Sequence, residues 1–430
     1  MDPQQRKPER AGSADRLSRR NLLGMAGGLA AAGALSAACG SNTGRSGGSS
    51  KDSIAQWYHQ YGETGTEQAA KRYAKAYSDA KVTIQWIPGD YDSKIASGLL
   101  SKDGPDVFEY HFNYQMAKSG QVVPLDDVIA DVKSDYSDID LASNSLDGKV
   151  YGIRMIDDPQ LFFYRKSMLA KAGIAPPTTM DELIAATKAL TTKDVKGLFL
   201  ANDSGAKWAG TQIMQATGQQ YLTKDHQIAY DPDLVAAAML KVRELVNTKG
   251  LLVGAPVDYW DPSVFNQGQC AMTRNGIWAI PAMQKALGDD IGVFPTPSIG
   301  AQGKPAVYLG GWSTFVSAKA KNVEAAKKFV KWLWISKTDF QEDWALSYGF
   351  HIPPRASLAA KATKLSTGPA AEVLSLTKKY GWVDDPAWTQ TMMTAFTDMA
   401  SNVVVKNADA KSEVAKATDT VKAELKKLFG

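Results

Sequence analysis

Aromatic, carboxylate and amide side chains follow several segments of this 430-residue chain that have the apolar alternation of β-strands. Tyr and Trp rings can stack on a flat apolar surface, and Asp, Glu, Asn and Gln can pair with hydroxyl groups. A pyranose presents both features, because its C–H faces are flat and its rim carries hydroxyls. The residues with these properties after predicted strands are Gln60, Tyr61, Glu63, Tyr110, Asn113, Asp157, Asp158, Asp203 and Trp208. Their combination indicates a carbohydrate site.

The chain contains 11 Trp, a content that calls for an explanation. Trp260, Trp312 and Trp388 are further candidates for stacking on a sugar ring, although each could instead pack in a core or between domains. Covering one Trp face would remove about 80–100 Å² of apolar surface from water and contribute about 2 kcal/mol. Arg355 either donates to a ligand hydroxyl or pairs with a neighbouring carboxylate.

Common motifs of nucleotide-binding enzymes and hydrolases are absent from the sequence after residue 52, which lacks G-x-x-x-x-G-K-[ST], G-x-G-x-x-G, H-E-x-x-H and G-x-S-x-G. The four His have no metal-ligand spacing, and Cys270 lies in an apolar segment that predicts a buried small hydrophobic residue. We therefore predict no metal, no cofactor and no catalytic residue. A carboxylate pair such as Asp157 and Asp158 leaves a glycosidase as an alternative.

The overall composition favours a soluble globular protein of two or three domains, with 44% hydrophobic and 22% charged residues. Lys and Arg together number 49 and Asp and Glu 45, which gives a formal charge of +4. A nucleic acid partner is not expected, because such proteins carry a marked basic excess.

The first 38 residues have the pattern of an export signal, since basic residues precede a stretch without charge at 21–44. Ser-Arg-Arg-Asn-Leu-Leu at 18–23 resembles a twin-arginine signal. Leu-Ser-Ala-Ala-Cys-Gly at 35–40 resembles a bacterial lipobox, in which Cys39 would carry lipid; the alternative is plain cleavage beside an incidental Cys. Residues 39–52 would then be a lipidated Cys and a flexible Gly/Ser tether. We expect export and lipid anchoring at the outer face of the cytoplasmic membrane.

The elements that must position the candidate residues alternate between strand and helix. Strands are predicted at 53–58 and 82–87, with a third opening at 105–108, and Thr66 is predicted to cap the first helix. Further helix starts are predicted at the capping box of Thr179 and Glu182, at Asp231-Pro232 and at Asn322. This alternation predicts a parallel α/β architecture.

Three blocks of sequence, in this order, carry a family resemblance. The first contains Asp-Gly-Lys-Val-Tyr-Gly-Ile at 147–153, Phe-Tyr-Arg-Lys at 163–166 and Ala-Gly-Ile-Ala-Pro-Pro-Thr-Thr-Met-Asp-Glu-Leu at 172–183. The second contains Phe-Asn-Gln-Gly-Gln-Cys-Ala-Met at 265–272 and Asn-Gly-Ile-Trp at 275–278, and the third Gly-Gly-Trp at 310–312 and Gly-Phe-His-Ile-Pro-Pro-Arg at 349–355. Together they resemble the family 1 extracellular solute-binding proteins of ABC importers, the class that includes maltose-binding protein. The family usually has Asn at the position of Arg165 and Trp at that of Met180.

The resemblance implies an α/β fold of two discontinuous lobes joined by a multi-strand hinge, with the ligand in the cleft. Crossings would fall near Asp157, near Ser313 and after the two prolines at 353–354. Lobe 1 would then comprise 53–156 and 314–357, and lobe 2 157–313 and 358–430. The resemblance also implies that Trp278 stacks on sugar, that Tyr110 matches an aromatic residue of the site, and that Gly311 and Trp312 lie in a site block.

The function implied is that of a monomeric, non-catalytic receptor that binds a mono- or oligosaccharide and delivers it to an ABC permease by lobe closure. One alternative is a receptor of the same fold for a polyamine, metal or anion. Another is a secreted carbohydrate-active enzyme, which would show turnover.

Overall fold

The strands that position the candidate residues lie in residues 53–430, the part of the chain that the computed structural model describes. The predicted export signal, Cys39 and the tether precede Ser53 and lie outside it. The strands are β1 (Ser53–His59), β2 (Lys81–Ile87), β3 (Val107–Tyr110), β4 (Ser145–Leu146), β5 (Lys149–Val150), β6 (Ile153–Tyr164), β7 (Lys196–Phe199), β8 (Cys270–Gly276), β9 (Gly292–Phe294), β10 (Val307–Val316) and β11 (Gly381–Trp382).

Helices cover the strands and fill most of the remaining sequence. They are α1 (Thr66–Ala76), α2 (Tyr91–Leu100), α3 (Tyr114–Lys118), α4 (Asp126–Ile129), α5 (Asp138–Ala142), α6 (Lys166–Ala172), α7 (Met180–Leu190), α8 (Ala206–Gln212), α9 (Pro232–Asn247), α10 (Ser263–Asn266), α11 (Ile280–Leu287), α12 (Val323–Lys331), α13 (Thr338–Leu346), α14 (Ala356–Ala359), α15 (Gly368–Tyr380), α16 (Gln390–Ala400) and α17 (Ala410–Phe429). Single π-helical turns extend α12 and α16.

The main sheet has the spatial order β2-β1-β3-β10-β6-β8-β7, with β9 paired to β6 and β11 to β10. The pairs β1–β2, β1–β3 and β7–β8 are parallel, as the alternation of strand and helix predicts. The prediction of a parallel sheet is wrong at the centre, where β10 is antiparallel to both β3 and β6. The reason is that β6 and β10 run through the middle of the sheet in opposite directions.

These two long strands divide the sheet into two halves with separate cores. The second half of β10 pairs with β3, and the second half of β6 pairs with β8. Beside β1 and β3, apolar clusters form around Tyr58 and around Phe108. Beside β7 and β8, other clusters form around Phe162 and around Phe163. We call the β1–β3 half lobe 1 and the β7–β9 half lobe 2.

Local capping signals position several helices as the sequence predicts. The capping box of α7 is present, since the Thr179 hydroxyl accepts from the Glu182 backbone N–H and the Glu182 carboxylate accepts from the Thr179 N–H, both at 3.2 Å. The carboxylate of Asp231 caps α9 and the amide oxygen of Asn322 caps α12. The prediction for Thr66 is wrong: Gly65, with φ 103°, occupies the cap position, and the Thr66 hydroxyl donates to the Glu63 carbonyl.

Candidate functional site

The facing ends of the two lobes carry five of the fifteen predicted ligand-binding residues. On lobe 1 the relevant groups come from the ends of β1 and β3 and from β10; we call His59, Tyr61, Tyr110, His111 and Trp312 the lobe 1 wall. On lobe 2 they come from β8, β10 and the segment before α10; we call Tyr259, Trp260, Arg274, Trp278 and Tyr308 the lobe 2 wall. The two walls meet where the Trp260 ring packs on Gly62, at which an added Cβ would lie 2.8 Å from Trp260 Cε3.

Trp312 forms the centre of a stack of three rings on lobe 1. The His59 ring lies 3.9 Å from the Trp312 centroid at 19°, and the His111 ring 4.4 Å away at 31°. Two rings so close to one centroid cannot share a face of the indole without overlapping, so each imidazole covers one face. Trp312 therefore presents its edge, rather than a free face, to the space between the lobes.

A buried carboxylate holds this stack in place. Glu109, which is 1% exposed, lies 2.5 Å from His59 Nδ1 and accepts a hydrogen bond of 2.8 Å from the Tyr61 hydroxyl. Burial, together with the charge of Glu109, raises the pKa of Tyr61 well above its ordinary value. The Tyr61 hydroxyl therefore already has its hydrogen-bond acceptor within lobe 1. The sequence reasoning missed Glu109, although a charge inside the apolar strand Val-Phe-Glu-Tyr is a detectable signal.

The tryptophans of lobe 2 are arranged differently. The Trp278 indole N–H donates to the Trp260 carbonyl at 3.1 Å, and the Trp260 side chain remains 42% exposed. Gly276 permits this arrangement, because an added Cβ would lie 1.8 Å from Trp278 Cζ3. The Asn-Gly-Ile-Trp segment therefore needs its glycine for the indole to fold back over the end of β8.

Arg274, which the sequence reasoning also missed, lies on β8 beside this pair and is 3% exposed. Its Nη2 donates to the side-chain oxygens of Gln160, on β6, and Gln212, at the end of α8. The guanidinium carbon lies 5.5 Å from the Tyr259 ring. Burial lowers the pKa of Arg274 to about 10, so the group keeps its charge at neutral pH.

The predicted acids Asp157 and Asp158 lie within β6, not after a strand as predicted, because β6 continues from lobe 1 into lobe 2. We call the part of β6 and β10 at which the chain passes between the lobes the crossing. Asp157 accepts from Arg154 Nε at 2.6 Å, and Arg154 also donates to the Gly310 carbonyl. Burial raises the pKa of Asp157 to about 7, although Arg154 opposes the change. The pairing of β6 with β10 shifts register between Trp312 and Ser313, which leaves Met155 without a partner across the ladder.

Asp158 belongs to a second buried ionic group that links lobe 1 to the crossing. His351 Nδ1 lies 2.6 Å from Asp158, and its Nε2 lies 3.1 Å from Glu63, in the loop after β1. Burial by itself would lower the pKa of His351, but the two carboxylates outweigh it and raise the pKa to about 10. We call this group the His351 bridge. Its two carboxylates are already paired.

Gly311 also belongs to the crossing. It has φ 125°, and an added Cβ would lie 2.1 Å from the Ile156 carbonyl, so only glycine fits.

Three other predicted residues lie at the lobe 1 end of the sheet. Tyr110 is 9% exposed, and its hydroxyl bonds to Asp92; burial raises the pKa of Tyr110. Gln60 is exposed beside the lobe 1 wall. Asn113 caps α3 by accepting from the Met116 N–H at 3.1 Å.

Four other predicted residues have contacts of a structural kind. Asp203 caps α8 by accepting from the backbone N–H groups of Gly205 and Lys207. Trp208 and Trp388 lie in the lobe 2 core at 3% and 4% exposure. Arg355 pairs with Asp135 at 2.9 Å, which is the carboxylate alternative, and also donates to the Ile335 carbonyl. The structure does not bring these four side chains into either wall.

The described residues also bear on metals and membranes. Among residues 53–430, no three His, Cys, Asp or Glu side chains converge as metal ligands would. Within the same range, no helix has the length and apolar character that crossing a bilayer requires. Cys270 is fully buried on β8, as predicted, and burial raises the pKa of its thiol to about 12.

Comparison with known proteins identifies the class. Residues 57–333, more than half of the chain, match the family model described as bacterial extracellular solute-binding protein. The chain belongs to this family, which confirms the resemblance found in the sequence. The diacetylchitobiose binding protein DasA of Streptomyces coelicolor is 27% identical over 344 residues, covering 75% of this chain and 79% of DasA. The arabinooligosaccharide-binding protein of Bacillus subtilis is 23% identical over 297 residues, covering 65% and 68%.

Solved structures support the same fold. A solute-binding protein of Thermotoga lettingae bound with α-D-tagatose superposes with a TM-score of 0.74 at 21% identity, covering 87% of this chain and all of that one. The GacH receptor of Streptomyces glaucescens gives 0.73 at 23% identity, covering 87% and 98%. The prediction of a two-lobed periplasmic-binding-protein-like α/β fold is confirmed.

Proposed function

We propose that this protein is the extracellular sugar-binding component of an ABC importer, which binds a mono- or oligosaccharide between its lobes. The observation that carries the proposal is the Trp260–Trp278 pair of lobe 2, which reaches Gly62 of lobe 1 and leaves indole surface exposed. Aromatic surface beside buried hydrogen-bonding groups suits the faces and the rim of a pyranose. The sugar-binding names of relatives such as DasA support the same conclusion.

Within the site, we assign direct ligand contact to Trp260, Trp278 and Tyr110, with Gln60 at the rim. The remaining predicted residues act on the ligand through others or serve the lobes themselves. Glu63 and Asp158 act through the His351 bridge, and Asp157 acts through Arg154.

The proposed mechanism is closure of the lobes around the ligand. Only a closed form lets the lobe 1 wall and the lobe 2 wall touch one sugar together, so the ligand favours that form. We assign 53–156 and 314–357 to lobe 1, and 157–313 and 358–430 to lobe 2; Trp312, at the end of the lobe 2 range in β10, packs its side chain against His59 and His111 and so belongs to the lobe 1 wall. The separate apolar clusters on the two sides of β6 and β10 support these bounds. A membrane permease would receive the sugar from the closed form, without turnover by this protein, which we expect to be monomeric.

A thermal-shift screen followed by titration calorimetry tests the proposal directly. The purified mature protein would be screened against mono- and oligosaccharides, and against polyamines and amino acids as non-sugar controls. A sugar that binds at micromolar concentration would raise the melting temperature by mass action. Stabilisation only by non-sugar solutes, or recovery of a cleaved sugar product, would contradict it.

The proposed location is the outer face of the cytoplasmic membrane, reached by twin-arginine export and held by lipid on Cys39. Cys39→Ser should release the protein into the medium, because a single residue would carry the anchor. Fractionation and immunoblotting of cells and medium would measure this, with Cys270→Ser as the matched control. Retention of the Cys39→Ser protein in the membrane fraction would contradict lipid anchoring.

A further inference from the structure

Arg274 is a buried cation whose immediate partners are all uncharged. Its Nη2 is bonded to the amide oxygens of Gln160 and Gln212, which hold one side of the guanidinium in place. Two other largely buried arginines of the described residues have carboxylate partners: Arg154 lies 2.6 Å from Asp157, and Arg355 lies 2.9 Å from Asp135. Among the described residues, no carboxylate lies within ion-pair distance of Arg274.

Asp203, whose charge acts on Arg274, and Asp384, which is bonded to Tyr308 of the same wall, both have other partners. Both oxygens of the exposed Asp203 accept backbone N–H groups at the start of α8. Asp384 accepts from the Tyr308 hydroxyl at 2.7 Å, and burial raises the pKa of its carboxyl to about 6. The charge of Arg274 therefore lacks a protein counter-ion on the lobe 2 wall.

A buried charge without a counter-ion is costly, and an apolar residue of similar size would be cheaper in this position. The guanidinium lies under Tyr259 and next to the Gly276–Trp278 segment that we assign to sugar binding. An anionic group on the ligand would supply the missing charge and accept from the remaining N–H groups of the fork.

We propose that the natural ligand is an acidic saccharide whose anionic group binds Arg274. This inference rests on the proposed sugar-binding function and narrows it to sugars that carry a carboxylate, sulfate or phosphate. Arg274 then determines specificity, because a neutral sugar would leave the guanidinium without a counter-charge.

Titration calorimetry with matched sugar pairs tests the proposal. Glucuronate and glucose, galacturonate and galactose, and mannuronate and mannose would be compared as monosaccharides and as 1,4-linked disaccharides. Glucose 6-sulfate and glucose 6-phosphate would distinguish the type of anion. We expect the acidic member of at least one pair to bind roughly 10- to 100-fold more tightly than its neutral partner.

Variants then locate the effect. Arg274→Met should abolish the preference for the acidic member, and Arg274→Lys should retain part of it, because Lys keeps the charge but loses the fork. Arg165→Met, which breaks a partly buried pair with Asp290, is the matched control and should leave the preference unchanged. If Arg274→Met does not fold, the acid-to-neutral ratio of the unmodified protein still decides.

The outcomes separate the two proposals. Tighter or equal binding of the neutral member in every pair would overturn the inference and leave the sugar-binding function intact. An acid preference that persists in Arg274→Met would also overturn the assignment of Arg274. Absence of binding by both members of every pair would overturn the inference, and the thermal-shift screen of mono- and oligosaccharides would then decide the proposed function separately.

Discussion

The two facing walls differ in how much of their aromatic and polar surface is already bonded. On lobe 1, imidazoles cover both faces of Trp312, and His59 and Tyr61 are bonded to the buried Glu109. On lobe 2, Trp260 is 42% exposed, and Arg274 has no carboxylate partner within residues 53–430. One wall is internally satisfied, whereas the other leaves groups for a ligand.

This difference indicates that the two lobes have different roles in ligand binding. A wall whose groups are fixed by one another changes little on binding, so it loses little conformational freedom when the lobes close. A wall with exposed indole surface and an unneutralised charge gains most from contact with the ligand. We therefore expect lobe 2 to select the ligand and lobe 1 to provide a rigid surface that closes on it.

The largest effect should follow from breaking the His351 bridge, which ties the lobe 1 loop to the crossing. His351→Gln would leave Glu63 and Asp158 buried without their shared cation. We expect the free energy of unfolding to fall by about 3–5 kcal/mol, as for other broken buried ion pairs. Urea unfolding would measure this loss of stability, with His226→Gln as the control. An unchanged urea midpoint for His351→Gln would contradict a stabilising role for the bridge.

The same bridge gives a pH dependence with a defined sign. The pKa of His351 rises from an ordinary 6.5 to about 10 on folding, so the folded protein holds this proton more tightly than the unfolded chain. The resulting stability is complete below pH 6.5 and is lost progressively as the pH rises towards 10. The stability difference between the unmodified protein and His351→Gln should shrink over this range. A stability difference that grows with pH would contradict a raised pKa for His351 in the folded protein.

The next largest effect should come from Gly276→Ala on lobe 2. The new methyl group would overlap the Trp278 ring, and relieving such a clash typically costs about 1–3 kcal/mol. The double variant with Trp278→Ala provides the control, because removing the indole makes room for the methyl group. A full cost that remains in the Trp278→Ala background would show that the clash lies elsewhere.

Comparing Trp278 with Trp312 tests whether lobe 2 selects the ligand and lobe 1 provides a rigid surface. Trp278→Ala should weaken sugar binding by about 2 kcal/mol, roughly 30-fold in Kd, through lost apolar contact. Trp312→Ala should mainly lower the free energy of unfolding, by about 1–3 kcal/mol, because two ring contacts are lost. Calorimetric titration and denaturant unfolding would separate the two effects. A larger loss of affinity for Trp312→Ala would reverse the comparison.

The smallest effect should come from Gly62→Ala, where the two walls touch. Its methyl group would lie 2.8 Å from the Trp260 ring, which is exposed enough to shift. We expect Kd to rise roughly twofold, equivalent to about 0.5 kcal/mol. The change should vanish in a Trp260→Ala background, and persistence there would show that Gly62 acts through another contact.

The features that the sequence predicted correctly are mostly local. The capping box of Thr179 and Glu182 and the cap at Asn322 depend on residues three apart, so the chain encodes them without tertiary context. Trp208 and Trp388 were candidates by residue type alone. Their burial depends on helices that pack from distant parts of the chain, which no local pattern reveals.

Glu109 and Arg274 were missed for a different physical reason. Each lies inside a buried strand, where sequence reasoning expects apolar residues rather than functional ones. Buried charges are uncommon enough that an acid in Val-Phe-Glu-Tyr and a base in Met-Thr-Arg-Asn were usable signals. Their partners, His59 and Gln160, could not be found in this way because they come from other strands.

The unpaired Met155 has a consequence for the ionic pair beside it. Side chains alternate between the two faces of a strand, so residues three apart, such as Arg154 and Asp157, would ordinarily point in opposite directions. The extra residue resets the alternation and lets both side chains share one face. Deleting Met155 would restore a regular ladder in which Arg154 and Asp157, then two residues apart, still share one face, so the ion pair between the two lobes should survive the deletion.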